Sequence, residues 1–149
     1  MTNKLAGILD AQLKQNKAMG VGTDVHARLK NVYCDENGTW HGDMDIVARV
    51  SGIPELAELM GPMSKPEVPI AGKIGDRFVS RRLDRLYVNV DAKKVVVLDY
   101  KTDKNKQQYY KKYIEQLNEY RTLLKQIFRL FDVRCKILWL NDFTLENLD

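Results

Sequence analysis

An aspartate and a lysine stand two residues apart at the end of an apolar run, Val95-Val96-Val97-Leu98-Asp99-Tyr100-Lys101-Thr102. Strand side chains alternate faces, so Asp99 and Lys101 share one face while Leu98 and Tyr100 share the other. The apolar lead-in reads as a buried strand, and a buried strand that ends in charge must desolvate it. Two readings are open for this segment alone: a reactive pair, or a frayed strand end with a surface ion pair. Arg82-Leu83-Asp84-Arg85-Leu86-Tyr87 adds a second carboxylate between apolar neighbours. A hairpin from Tyr87 to Val95 brings Asp84 close to Asp99. Two facing carboxylates repel unless a cation lies between them. Mg²⁺ and Mn²⁺ take oxygen ligands, and Mg²⁺ uses only one or two carboxylates besides water and phosphate. A lysine beside such a site can stabilise charge on a phosphate or orient water. Asp84, Asp99 and Lys101 together thus suit phosphodiester hydrolysis.

The elements that must position them can be read from periodicity. Asn3 to Lys17 carries Leu5, Ile8, Leu9 and Leu13 at helical spacing, and Gly20-Val21-Gly22-Thr23 breaks it. Thr23 or Asp24 can cap a second helix through Val25, Leu29 and Val32. Asp35-Glu36-Asn37-Gly38 is a turn, and Asp45 to Val50 and Pro54 to Met60 are short helices. Glu67 to Ala71, Arg77 to Val90 and Lys94 to Lys101 read as strands, joined between the last two by Asn89-Val90-Asp91-Ala92-Lys93. A long helix, about Lys106 to Leu130, comes next, with Tyr110, Tyr113, Leu117, Tyr120, Leu124, Ile127 and Phe131 on one face. Val133 to Leu140 closes as a strand. The order predicts a mixed α/β (α+β) domain with a small sheet packed on helices.

The 149 residues fit one domain, with 44% apolar and 30% charged residues. Cys34 and Cys135 are too few for a disulfide framework, a four-thiolate zinc site or an iron–sulfur cluster. No apolar run approaches a membrane span, and Met1 to Met19 has no signal-peptide core, so a cytoplasmic protein is expected. Lys101 to Lys136 holds ten Lys or Arg against four Asp or Glu in a chain of net charge +4. That suits a phosphate backbone, or equally a solvated helix face.

Asp84, followed one hairpin later by Asp99-Tyr100-Lys101, resembles the signature of the PD-(D/E)XK nucleases. Flanking motifs point to the branch of the RecB and AddA helicase-nucleases. Gly22-Thr23-Asp24-Val25-His26 is similar to that branch's Gly-x-x-x-His motif, and Glu67-Val68-Pro69-Ile70 to its Glu-x-Pro-apolar strand. Arg82-Leu83-Asp84-Arg85-Leu86 resembles its Gly-Arg-Ile-Asp-Arg segment, and Gln116-Leu117-Asn118-Glu119-Tyr120 its Gln-x-x-x-Tyr motif. The motifs fall in the family's order from Gly22 to Tyr120.

The resemblance implies a restriction-endonuclease-like core over about 66–149, preceded by a helical lead-in over about 1–62, in a single nuclease domain. It implies Asp84, Asp99 and His26 as ligands of Mg²⁺ or Mn²⁺, with the Tyr100 carbonyl as a further ligand. Lys101 would be the catalytic lysine, with Gln116 and Tyr120 beside it, and no iron–sulfur cluster is expected. Arg82, Lys104, Lys106, Lys111 and Lys112 are candidate DNA contacts, and Tyr109, Tyr110 and Tyr113 could stack on bases or pack in the core. Arg81 stands where the family often has glycine, which puts local packing or DNA approach in doubt. His41-Gly42-Asp43-Met44-Asp45 matches nothing in the family and is set aside as a metal cluster. Glu67 is open between a site role and a strand-edge charge.

The expected activity is metal-dependent hydrolysis of DNA, exo- or endonucleolytic, in double-strand break repair and recombination. A helicase domain or subunit, in cis or trans, is the expected partner besides DNA, and bacterial cytoplasm or nucleoid the expected location. The alternative is a catalytically silent DNA-binding or structural module of a helicase complex. A site-specific restriction enzyme would need a recognition subdomain that so short a chain does not show.

Overall fold

The computed structural model of the protein describes residues 24–102 and 106–148. The expected helix Asn3 to Lys17, the break at Gly20 to Thr23, and Lys104 lie outside the described residues, as does the side chain of Lys106.

A five-stranded mixed sheet runs in the order β3 (Ser64–Ile74), β4 (Arg77–Asn89), β5 (Lys94–Lys101), β6 (Asp132–Trp139), β7 (Thr144–Asn147). Of its neighbouring strands, only β5 and β6 are parallel. Parallel neighbours need a crossover, and α4 (Lys106–Ile127) supplies it over one face of the sheet. Helix α1 (24–29), α2 (Met44–Val50) and α3 (Pro54–Leu59) cover the other. The mixed α/β class expected from the sequence is the one found. A small hairpin, β1 (Tyr33–Cys34) and β2 (Trp40–His41), lies beside this second layer. Its turn is the expected one: Asp35 Oδ1 accepts from the Asn37 and Thr39 amides, and Gly38 supplies a φ of 80°.

The apolar run of β5 is explained by burial on both faces. Val95 and Val97 join Leu117, Leu123 and Leu124 of α4, while Val96, Leu98 and Tyr100 join Leu29, Val32, Val50 and Leu56. The α4 stripe differs from the expected one at its ends. Tyr110 is 38% and Ile127 51% exposed, because the helix overhangs the sheet there. Leu123, absent from the expected stripe, is fully buried. It meets β3 at Gly72, where a Cβ would come within 3.0 Å of Leu123 Cδ2. The helix stops at Ile127 rather than Leu130; Leu130 takes a φ of 68° and lies in solvent, while Phe128 and Phe131 fold back onto the core.

Two irregularities open the sheet at one end. The β3–β4 ladder places Pro66 opposite Arg85 and Val68 opposite Leu83. Val79 and Leu83 of β4 face α4, but so do Leu86 and Val88, while Tyr87 faces the other helices. The alternation therefore slips by one residue at Asp84, next to Glu67 on β3 with its φ of 55°. A left-handed non-glycine residue is costly and reverses the side-chain sequence locally. The second irregularity is that β4–β5 pairing runs from Asn89–Lys94 only as far as Arg85–Leu98. Beyond it the β3–β4 hairpin leaves β5, and a fork opens at Asp84.

Candidate active site

The fork is where the ladder would next pair Asp84. Instead of its backbone, the Asp84 carboxylate takes the hydrogen bond: Tyr100 N–H donates to Oδ2 at 2.7 Å. The side chain is thereby fixed at the end of β5 while remaining partly open to solvent. Asp99 sits on the neighbouring strand, only 4% exposed. Burial first, and the Asp84 charge second, push its carboxyl up to about 7, with Lys101 acting in the opposite direction. Lys101 Nζ lies 3.0 Å from Asp99 Oδ2. Lys101 is the close donor to that buried oxygen, and the contact lies off the ideal hydrogen-bond direction. The ammonium is aimed at Gln116 Oε1, 2.8 Å away, and lies 4.5 Å from the centre of the Tyr113 ring.

His26 arrives from the other side of the sheet. Its Nε2 is 3.2 Å from the Tyr100 carbonyl oxygen and 3.8 Å from Asp84 Oδ2. What brings α1 there is Arg85, which is 2% exposed. Its Nη2 donates to the Leu29 and Val32 carbonyls at 3.3 and 2.9 Å, its Nη1 to Ser64 Oγ at 3.0 Å, and its Nε to the Tyr100 hydroxyl at 3.2 Å. A cation at the carbonyl end of a helix is favourably placed. Burial raises the Tyr100 hydroxyl to about 12 and the Tyr120 hydroxyl further still, so both remain neutral phenols.

His26, Asp84, Asp99, Tyr100, Lys101, Gln116 and Tyr120 line one cavity of about 370 Å³, together with Arg82, Thr102 and Tyr113. Every residue the sequence put forward for catalysis or metal binding thus opens onto the same space. The DNA-contact candidates divide. Arg82 lies at the rim, 69% exposed, bonded to Glu67 at 3.1 Å. Lys111 and Lys112 are exposed on α4, and Lys112 borders an adjoining groove. Arg81 turns towards α4, with Nε 2.8 Å from Glu119 Oε1, so it leaves the cavity clear. His41 bonds Asp35 at 2.8 Å, and Asp43 accepts from the Asp45 and Ile46 amides as the cap of α2. Sequence reasoning assigned no role to Arg85. Nothing in the sequence sets it apart from Arg77, Arg81 and Arg82 of the same strand, which are exposed.

Whether a divalent cation fits can be asked of these atoms. Among the described residues, no three His, Cys, Asp or Glu side chains clasp a point by themselves. His26, Asp84 and Asp99 are three such side chains and do not close on a common point; two of them completed by the Tyr100 carbonyl form a smaller set. Ligands about 2.1 Å from Mg²⁺ in adjacent octahedral positions stand roughly 3 Å apart. The His26–Tyr100 separation is close to that value, and the His26–Asp84 separation is somewhat longer. The buried oxygen of Asp99 beside a second carboxylate also suits a cation. The donor set fits. No protein-family model matches the chain, and no curated protein matches it either.

Proposed function

We propose that the chain is a metal-dependent deoxyribonuclease domain that hydrolyses phosphodiester bonds. The observation that carries this reading is the buried Asp99, next to Asp84 and Lys101 and open to one cavity with His26. Burying one carboxylate against another is costly, and such an arrangement is kept where it performs chemistry. Asp84, Asp99, His26 and the Tyr100 carbonyl would hold Mg²⁺ or Mn²⁺. That ion supplies Lewis-acid polarisation of the phosphate and a lowered pKa for water. The chain's own part is positional and electrostatic. Lys101, steered by Gln116 and the Tyr113 ring, presents a fixed positive charge to the phosphate as its negative charge grows. Water oxygen bonds to phosphorus, the P–O ester bond breaks, and the departing oxygen takes a proton, leaving a phosphomonoester and a hydroxyl end.

The ordered motifs support a setting in a helicase-nuclease of break repair and recombination, in bacterial cytoplasm or nucleoid, with a helicase partner. No helix among the described residues is long and apolar enough to cross a membrane. A second reading, a silent DNA-binding or structural module, has one observation in its favour: among the described residues the side chains alone do not form a ready-made metal cluster.

Incubation of end-labelled single- and double-stranded DNA with Mg²⁺, Mn²⁺ or EDTA separates the two. Cleavage should require metal and fall by roughly 10²-fold or more in Lys101→Ala. Metal-independent cleavage refutes the metal-dependent mechanism, and full activity in Lys101→Ala with metal dependence intact removes Lys101 from its role. DNA binding by a folded chain without cleavage selects the silent module.

A further inference from the structure

Beyond the fork, the described residues cover the β3–β4 hairpin on one face only. Val68, Ile70, Val79 and Leu83 pack under α4. The opposite face is formed by three cross-strand pairs, Pro69–Arg82, Ala71–Ser80 and Lys73–Phe78, and all six residues are exposed. Phe78 is 68% exposed and is the large apolar side chain that this face turns to solvent. Lys73 sits directly across from it, and Arg82 at the other end lines the candidate active site. None of the three pairs contains an acidic residue; Glu67 reaches only Arg82. Pro66 and Pro69 remove two N–H donors from this edge strand, which works against strand addition by another protein.

We propose that this bare face is a track for an unpaired nucleic-acid strand running to the candidate active site. Phe78 is the platform on which a base stacks, and Lys73 and Arg82 meet phosphates. An exposed aromatic ring between cations on a sheet surface is the chemistry that single-stranded nucleic acid recognises, because unpaired bases offer their faces. Phe78 and Asp84 stand six steps apart along β4, about 20 Å of track. The continuity of track and cavity rests on the nuclease reading; the binding itself does not.

The test is fluorescence anisotropy with a labelled 12-nucleotide single strand in EDTA, so that no cleavage intervenes. Phe78→Ala should weaken binding roughly fivefold to hundredfold. Lys73→Ala should lower the slope of log affinity against log salt by about 0.7. Phe78→Trp should restore affinity, and its added fluorescence should be quenched by the oligonucleotide. All three substitutions are at exposed positions, and circular dichroism verifies that each variant is folded. Wild-type affinity in Phe78→Ala, or no binding by the wild-type chain, overturns the track. A chain that binds through Phe78 but never cleaves leaves the track standing and removes the nuclease. A chain that cleaves while Phe78→Ala binds normally does the reverse, and points to a protein partner for that face.

Discussion

Arg85 and Asp99 are the two charged side chains buried among the described residues, at 2% and 4% exposure. They lie on adjacent strands, within one residue of the last β4–β5 pair, Arg85–Leu98. Burial treats them differently. Arg85 donates four hydrogen bonds, to the Leu29 and Val32 carbonyls and to two hydroxyls. Asp99 has a like charge nearby and, as close donor, an ammonium that it shares with Gln116. A buried charge whose hydrogen-bonding capacity is met is scaffold; one left short is free to act on something else. Arg85 thus fixes α1, and with it His26, against the strand that carries the reactive groups.

The comparison predicts opposite stability effects from neutralising each charge, and the larger belongs to Arg85. Arg85→Met leaves the Leu29 and Val32 carbonyls without their guanidinium donor and should destabilise the fold by about 3–5 kcal/mol. Urea denaturation reads this directly. A loss under about 1 kcal/mol would show that α1 docks without it.

Asp99→Asn should stabilise the metal-free chain at pH 8, on the order of 2 kcal/mol, while abolishing cleavage. The folded state raises the pKa of Asp99 above that of an unfolded aspartate, so folding favours the protonated form. The ionisation cost is absent near pH 4 and below, and grows as pH rises towards and through about 7. Thermal midpoints of mutant and wild type in EDTA should therefore diverge across that window and meet at its acid end. A mutant less stable than wild type at pH 8 would make Asp99 a structural partner of Lys101. Asp84→Asn sharpens the point: with the like charge removed, the wild-type fall in stability should move to lower pH and shrink.

Much of this arrangement is legible in the sequence. Alternation alone puts Asp99 and Lys101 on one face, and the i, i+4 spacing of Gln116 and Tyr120 aims both at that face from α4. The slip at Glu67 and Asp84 is not legible, because period-two patterning assumes unbroken alternation and the left-handed residue is a glutamate rather than a glycine. Arg85 escaped for the same reason, since unbroken alternation places it on the face opposite Asp84 without saying what lies there. The two-residue strands β1 and β2 and the short β7 carry too few residues for a periodic signal. Exposed Tyr110 and Ile127 show that a helical stripe predicts a buried face but not where the sheet beneath it ends.

The smallest expected effects come from a second comparison, between the two histidines. His41 and His26 each present Nε2 to an aspartate, at 2.8 Å from Asp35 and 3.8 Å from Asp84. The shorter contact is the ordinary one. Hydrogen bonding from His41, and then from the Thr39 amide, holds Asp35 below the usual carboxylate range at the surface of a turn. A surface pair of this kind contributes little to stability, so His41→Ala should leave the thermal midpoint and Mn²⁺ binding unchanged. The longer His26–Asp84 contact also faces the Tyr100 carbonyl and the cavity. His26→Ala should weaken Mn²⁺ binding, measured by titration calorimetry, by about tenfold or more, with little change in the metal-free midpoint. Equal losses in both variants would mean that Mn²⁺ binds near the β1–β2 turn as well, and the claim that His26 alone serves the site would fail.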